Sequence, residues 1–412
     1  MSSSGGGITL GDPAEGTQWL RVGWLIDGQG GPPRRHVWIG IRGATVAHVG
    51  PDRSQSSPAV DLSHATVLPA LSDAHVHLVL SGTFDPHIRA GQLQHTPEHT
   101  FAAIRRHLQM HLNCGVAAVR DGGDRRGDVN RFKHEHLRGT GLPVHVAAPG
   151  RAWHAAGRYG GMIGEAPPRG IAPAQAVKAQ VEAVDHLKLI QSGLNSLDCF
   201  GRQAPPQFDM QELDAMIRAA HAAGRRVMVH ANGEQAVGMA LRAGCDSIEH
   251  GYFMGGDNLR RMADKGIVWV PTGVPMAALT EAPDLSPAQR DVALRTLEAQ
   301  LEQIRVAHTM GVVIALGTDA GSQGVDHGHA VRRELGLLMS AGFGLAHAVQ
   351  SATSHAVRLV GLKDRGELVC GKRADLIAVP GPPEGLPESL ANIEAILIGG
   401  IWWKPAGGNV EV

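Results

Sequence analysis

The chain has 412 residues, enough for two or three domains of roughly 150 residues, or for one large α/β domain with a smaller companion. Hydrophobic residues make up 43% and charged residues 19%, a globular balance that supplies a buried core and argues against a disordered chain. Lys and Arg number 38 against 39 Asp and Glu, so the field that a nucleic-acid or anionic-membrane binder needs is missing.

Residues 1–7, MSSSGGG, carry neither a basic nor an apolar region, so no secretory leader is expected. No apolar stretch reaches the ~18 residues of a membrane span. From Gln18 to about Leu68, short apolar runs broken by turns (WLRVGWLIDGQGGPP, HVWIGIRGATVAHVGP, ATVLPAL) predict strands in hairpins. From Thr100 the rhythm becomes helical stretches alternating with short apolar strands, the signature of βα units around a parallel sheet.

Eight strands are predicted: LSDAHVHL (71–78), VAAVRD (116–121), PVHVAA (143–148), HLKLIQSG (186–193), RVMVHAN (226–232), SIEHG (247–251), IVWVPT (267–272) and VVIALGTDAG (312–321). Helices are predicted over 101–112, 174–184 and 210–224 among others. Eight parallel strands in about 250 residues predict a closed (β/α)8 barrel. The tail returns to β character at 366–379 and 393–405. We therefore expect residues 1–69 and 366–412 to build one small β-sandwich domain and residues 70–365 to form the barrel.

The four cysteines, Cys114, Cys199, Cys245 and Cys370, lie far apart without a CxxC pair. They predict neither a disulfide framework nor a zinc ribbon, and read as inert core thiols in a reducing, cytoplasmic setting.

Chemistry in such a barrel sits at the C-terminal ends of the strands. The first strand closes on His75 and His77, whose i,i+2 spacing puts both imidazoles on one strand face. Lys188 lies inside the fourth strand, His230 ends the fifth, His250 the sixth and Asp319 the eighth. With 23 histidines in the chain, about 1.3 HxH patterns are expected by chance, and there are three. His134 and His136 lie in a charged helical stretch and read as a solvated face, whereas His327 and His329 read as rim-loop residues, exposed or substrate-facing. Lys188 alone would read as a snorkelling lysine, yet a buried, unpaired ammonium costs several kcal/mol. A carbamate made from its amine and CO2 would remove the charge and offer two oxygens able to bridge two cations. Convergence of five strand ends on one rim predicts a metal site.

The segments LPALSDAHVHL, GVAAVRDGG, DHLKLIQSG, VMVHAN, SIEHG, ALGTDAG and GKRADLIAV resemble, in order, those of the amidohydrolase superfamily. The lysine on strand four and the ADLIAV tail are most similar to its imidazolonepropionase-like and Xaa-Pro-dipeptidase-like members. The chain departs from the family pattern at Ala70, at Gly193-Leu194 and at Ser354-His355-Ala356, none of which removes a ligand. The resemblance implies two divalent cations, zinc by default, with His75, His77, N6-carboxylated Lys188 and Asp319 around the first, and Lys188, His230 and His250 around the second.

The expected reaction is hydrolysis of a C–N amide bond in a small molecule, a dipeptide, an N-acyl amino acid or a cyclic amide. A hydroxide bridging the metals would be the nucleophile and Asp319 the general base. In the loop after strand three, His154 and Tyr159 are candidate oxyanion donors, and Arg151 and Arg158 candidate clamps for a substrate carboxylate. Asp121 reads as a structural acceptor. Alternatives on the same scaffold are hydrolysis of a lactone, carbamate or organophosphate ester, or a mononuclear deaminase; a binding protein without catalysis is the alternative of another class. A homo-oligomer is expected.

Overall fold

The computed structural model describes residues 16–51 and 59–403; the 1–7 stretch and the last residues of 393–405 lie outside the described residues. The N-terminal hairpins form as β1 (Thr17–Leu25), β2 (Arg34–Arg42), β3 (Thr45–Gly50) and β4 (Ala59–Pro69). Ala70 alone separates β4 from the first barrel strand, β5 (Leu71–Val76).

The barrel continues with β6 (Val116–Asp121) and β7 (His145–Ala147). Two short inserted strands, β8 (Ala152–Trp153) and β9 (Gly164–Glu165), belong to the long loop before β10 (His186–Ile190). Then come β11 (Arg226–Ala231), β12 (Ser247–His250) and β13 (Val268–Val270). The pairs β5–β6, β6–β7, β10–β11, β11–β12 and β12–β13 are all parallel. All residues of β6, β10 and β12 are buried, as expected of parallel strands covered by helices on one face and barrel contents on the other.

The predicted eighth strand is irregular, but its backbone joins both neighbours. Trp269 N donates to Val313 O, Ala315 N to Trp269 O, Ala74 N to Leu316 O and His77 N to Ala320 O. Asp73 ties the same seam from the side, accepting from Thr318 Oγ1 at 2.6 Å and Thr318 N at 3.0 Å. Between β7 and β10, closure runs through Asp185 N to Ala148 O, with Ala148 N returning to Asp185 Oδ2.

The outer helices form where the apolar residues recur every three to four positions. Met210–Ala222 starts at a capping box between Asp209 and Glu212 and buries Leu213, Met216, Ile217 and Ala220. Two helices follow β5, α1 (Pro86–Gln92) and α2 (Pro97–Asn113).

The C-terminal segment supplies β14 (Leu376–Pro380), β15 (Ala395–Ile398) and β16 (Ile401–Trp403). With the first four strands they make one seven-stranded mixed sheet, ordered β16-β15-β14-β4-β1-β2-β3, in which only β1–β4 is parallel. The layers of this small domain are thus one continuous sheet folded over a shared core of Leu20, Ile39, Val46, Leu376 and Leu397, and Thr45 bridges back to Arg373.

Two expectations are corrected. His327 is neither exposed nor substrate-facing: it is fully buried, its Nε2 donates to Leu80 O at 2.7 Å, and it stacks on His107. Cys199 and Cys370 are exposed, so only Cys245 is a fully buried thiol. No disulfide joins the four cysteines. Among the described residues no helix is long and apolar enough to cross a membrane.

Candidate metal centre

Strand register brings the predicted ligands together. Ile190 lies beside His230 and Ala231 beside His250, so the fourth, fifth and sixth strands end at one level. Val76 bridges Ala320, which sets His75 and His77 beside Asp319. His75 Nε2 is 3.5 Å and His77 Nε2 3.3 Å from Asp319 Oδ1. The His75 ring lies 4.9 Å from that of His250, which lies 4.5 Å from that of His230. Backbone φ is +66° at His250, +59° at Asp319 and +45° at Thr272. Such left-handed conformations in residues other than glycine cost about 1–3 kcal/mol each and cluster at functional sites.

Neighbours fix which nitrogen each imidazole presents. His75 Nδ1 donates to Glu249 Oε2 at 2.8 Å, and His77 Nδ1 to Gly123 O at 3.3 Å, so both rings turn their Nε2 toward Asp319. His230 Nε2 donates to Gly193 O at 3.3 Å, which leaves a lone pair on Nδ1. His250 Nδ1 hydrogen-bonds Thr272 Oγ1 at 2.7 Å.

Burial sets the protonation states. It holds His75 and His230 well below the ordinary imidazole value and His250 down to about 3, so all three are neutral, as a metal ligand must be. Burial also pulls at His77, but hydrogen bonding to Asp319 and its charge raise it. Burial would raise Asp319, yet the His77 hydrogen bond and the surrounding imidazoles hold it well below the usual carboxylate range.

Lys188 is 1% exposed, and its Nζ has no hydrogen-bond partner. Burial lowers its pKa to about 8. The Nε2 of His75 is likewise buried without a partner. Ligand atoms of His75, His77 and Asp319 lie within 4.8 Å of one another. Two imidazole nitrogens and a carboxylate oxygen converging beside orphaned polar atoms fit a divalent cation.

The centre forms the floor of a cavity of about 310 Å³. Tyr159 lines it, with its ring 5.5 Å from that of His230. The other loop candidates point elsewhere. His154 packs behind Gly160, and its Nδ1 donates to Ala155 O. Arg151 pairs at the surface with Glu165 at 2.8 Å, and Arg158 reaches Pro205 O. None of these three lines the cavity. Asp121 is the structural acceptor expected, bonding Leu78 N and Gly123 N.

Several contributors were not read from the sequence. Arg89 lines the cavity from α1, which no motif marks. Glu249 and Arg120 are fully paired behind His75, with Arg120 Nη2 2.8 Å from Glu249 Oε1. A charge inside each of the apolar runs VAAVRD and SIEHG was the signal that could have found them.

A closed barrel holding a buried His-His-Asp cation site at the C-terminal ends of its strands defines a metal-dependent hydrolase. The amidohydrolase family profile matches residues 66–400, and the chain belongs to that family of hydrolases acting on carbon–nitrogen bonds. It is 25% identical to ochratoxinase of Aspergillus niger, over 88% of this chain and 81% of that protein. It is also 25% identical to imidazolonepropionase of Deinococcus radiodurans, over 83% and 84% of the two chains. Among solved structures, a Xaa-Pro dipeptidase with methionine bound in its active site superposes with a TM-score of 0.79 at 27% identity, covering 94% of this chain and all of that one.

Proposed function

We propose that the protein is a binuclear metal-dependent amidohydrolase that cleaves an amide C–N bond in a dipeptide, an N-acyl amino acid or a cyclic amide. The observation that carries this reading is Lys188, buried with its Nζ unpartnered and within electrostatic reach of His75, His77, His230, His250 and Asp319. A buried ammonium there is unfavourable. Addition of the neutral amine to CO2 would form an N–C bond, release one proton and give a carbamate with two oxygens to offer as ligands. His75, His77, Lys188 and Asp319 would hold the first cation and Lys188, His230 and His250 the second, with zinc the default for this donor set. The dipeptidase relative, with methionine in its active site, supports an amide beside an amino acid.

When bound, the cations lower the pKa of water and polarise the scissile carbonyl, so that hydrolysis proceeds at neutral pH. Asp319, ionised beside His75 and His77, takes the proton of the attacking water and returns it to the leaving nitrogen. The Tyr159 hydroxyl donates to the developing oxyanion. Apolar walls of Leu194, Leu197, Met276 and Leu279 exclude bulk water.

Elemental analysis tests the reading on wild type and Lys188→Ala, each prepared with zinc and bicarbonate. Two metals per wild-type chain, falling to one or none in the variant, with hydrolysis of N-acyl amino acids or dipeptides by the wild type, is the expected result. One metal in both proteins would remove the carbamate and favour a mononuclear enzyme.

A further inference from the structure

The cavity holds two cationic side chains, Lys188 at its floor and Arg89 at its rim, but a single carboxylate, Asp319. Arg89 projects from the last turn of α1. Its Nη1 approaches Thr83 O and Gly321 O, both at 3.4 Å, the outer limit of a hydrogen bond. A guanidinium has five N–H donors, and among the described residues Arg89 forms no ion pair, unlike Arg151 with Glu165. It is partly buried, and burial lowers its pKa while Asp319 raises it. It is therefore a poorly satisfied, always-charged fork facing the reaction centre, the group best suited to a carboxylate.

Most of the remaining wall is apolar, with Met162, Leu194, Leu197, Pro275, Met276 and Leu279 among its side chains, and its polar members, such as Asn195 and Gln323, carry no charge. Leu194 and Met162 are exposed hydrophobics there, at 60% and 42%. A free α-ammonium would need an acidic partner, and Asp319 is already engaged by His75 and His77. We infer that Arg89 binds the carboxylate of an N-blocked amino acid, so that among the amides above the substrate class is N-acyl amino acids with apolar groups. This inference rests on the amide-hydrolysis reading, and it assigns to Arg89 the clamp that the sequence placed on Arg151 and Arg158.

Binding and turnover are measured separately. N-Methanesulfonyl-L-leucine and its carboxamide have no scissile carbonyl amide at the nitrogen, and calorimetry on the metal-loaded enzyme compares them in wild type, Arg89→Met and Arg89→Lys. The acid should bind the wild type at least tenfold more tightly than the carboxamide. Arg89→Met should erase the difference by weakening the acid alone, and Arg89→Lys should retain part of it. Equal binding of acid and carboxamide to the wild type, or equal weakening of both in Arg89→Met, would overturn the inference. Turnover of N-acetyl-L-leucine should exceed that of Leu-Leu, and the reverse order would overturn the N-blocked class. If the wild type binds the acid through Arg89 but hydrolyses no amide, the hydrolysis reading fails while the carboxylate clamp stands.

Discussion

His75 and Glu249 meet across 2.8 Å with both side chains fully buried. That contact makes a carboxylate 174 residues away in sequence the group that orients a metal ligand. Glu249 is held in turn by Arg120 and Ser247, and Arg120 Nε is anchored on Ala74 O at 2.7 Å. In Glu249→Gln an amide must face either His75 Nδ1–H or the Arg120 guanidinium with its NH2, placing donor against donor. Metal affinity should fall about 10- to 100-fold, as for other partners of metal-bound histidines. Competition with a chelator of known affinity measures this. An unchanged affinity would show that His75 is oriented by packing alone.

Gly122 lies against the second histidine. A Cβ at 122 would come within 2.9 Å of His77 Nε2, the atom aimed at Asp319. Gly122→Ala should therefore turn the His77 ring, lowering metal content and kcat together, at a stability cost of about 1–3 kcal/mol from overpacking. Circular dichroism and metal analysis on one preparation separate a folded, metal-poor protein from an unfolded one.

What could be read in the sequence follows from period and from strand ends. Val116–Asp121 emerges as predicted because a continuous apolar run bounded by turns has few alternatives. The strands that carry the candidate ligands were legible because a histidine or lysine in or closing such a run is costly without a role. The rim was not. Arg89 is placed by a short helix after β5, and Arg151, a candidate clamp in the sequence, pairs at the surface with Glu165 through tertiary packing that no local pattern encodes. His327 was missed for the same reason, since its partners lie on β5's loop and α2.

That histidine cluster makes stability fall in acid. His107 Nδ1 donates to Leu78 O at 2.8 Å, and His111 and His327 share a hydrogen bond at 3.1 Å. Burial depresses His107 to about 4 and His111 to about 3. Their unfolded forms take up protons near pH 6.5, so between pH 6.5 and 4 the unfolded state binds more protons and stability drops as pH falls. Each such group contributes up to about 1.4 kcal/mol per pH unit. In His107→Phe, Tm at pH 7.5 should fall through loss of the Leu78 bond, about 1 kcal/mol, while the slope below pH 6.5 becomes shallower by one proton. Parallel Tm curves for variant and wild type would contradict this.

Asp319, the proposed proton acceptor, also carries backbone strain, and two substitutions separate the two. At φ +59°, asparagine is tolerated whereas alanine is penalised by roughly 1–2 kcal/mol. Asp319→Asn preserves shape but cannot accept a proton and is a weaker ligand, so kcat should fall by about 10²- to 10⁴-fold with Tm little changed. Asp319→Ala should lose the same activity and also stability. The two variants would then share a kinetic defect but differ in thermal midpoint. If Asp319→Asn instead kept near wild-type kcat with full metal occupancy, the proton acceptor would lie elsewhere on the rim.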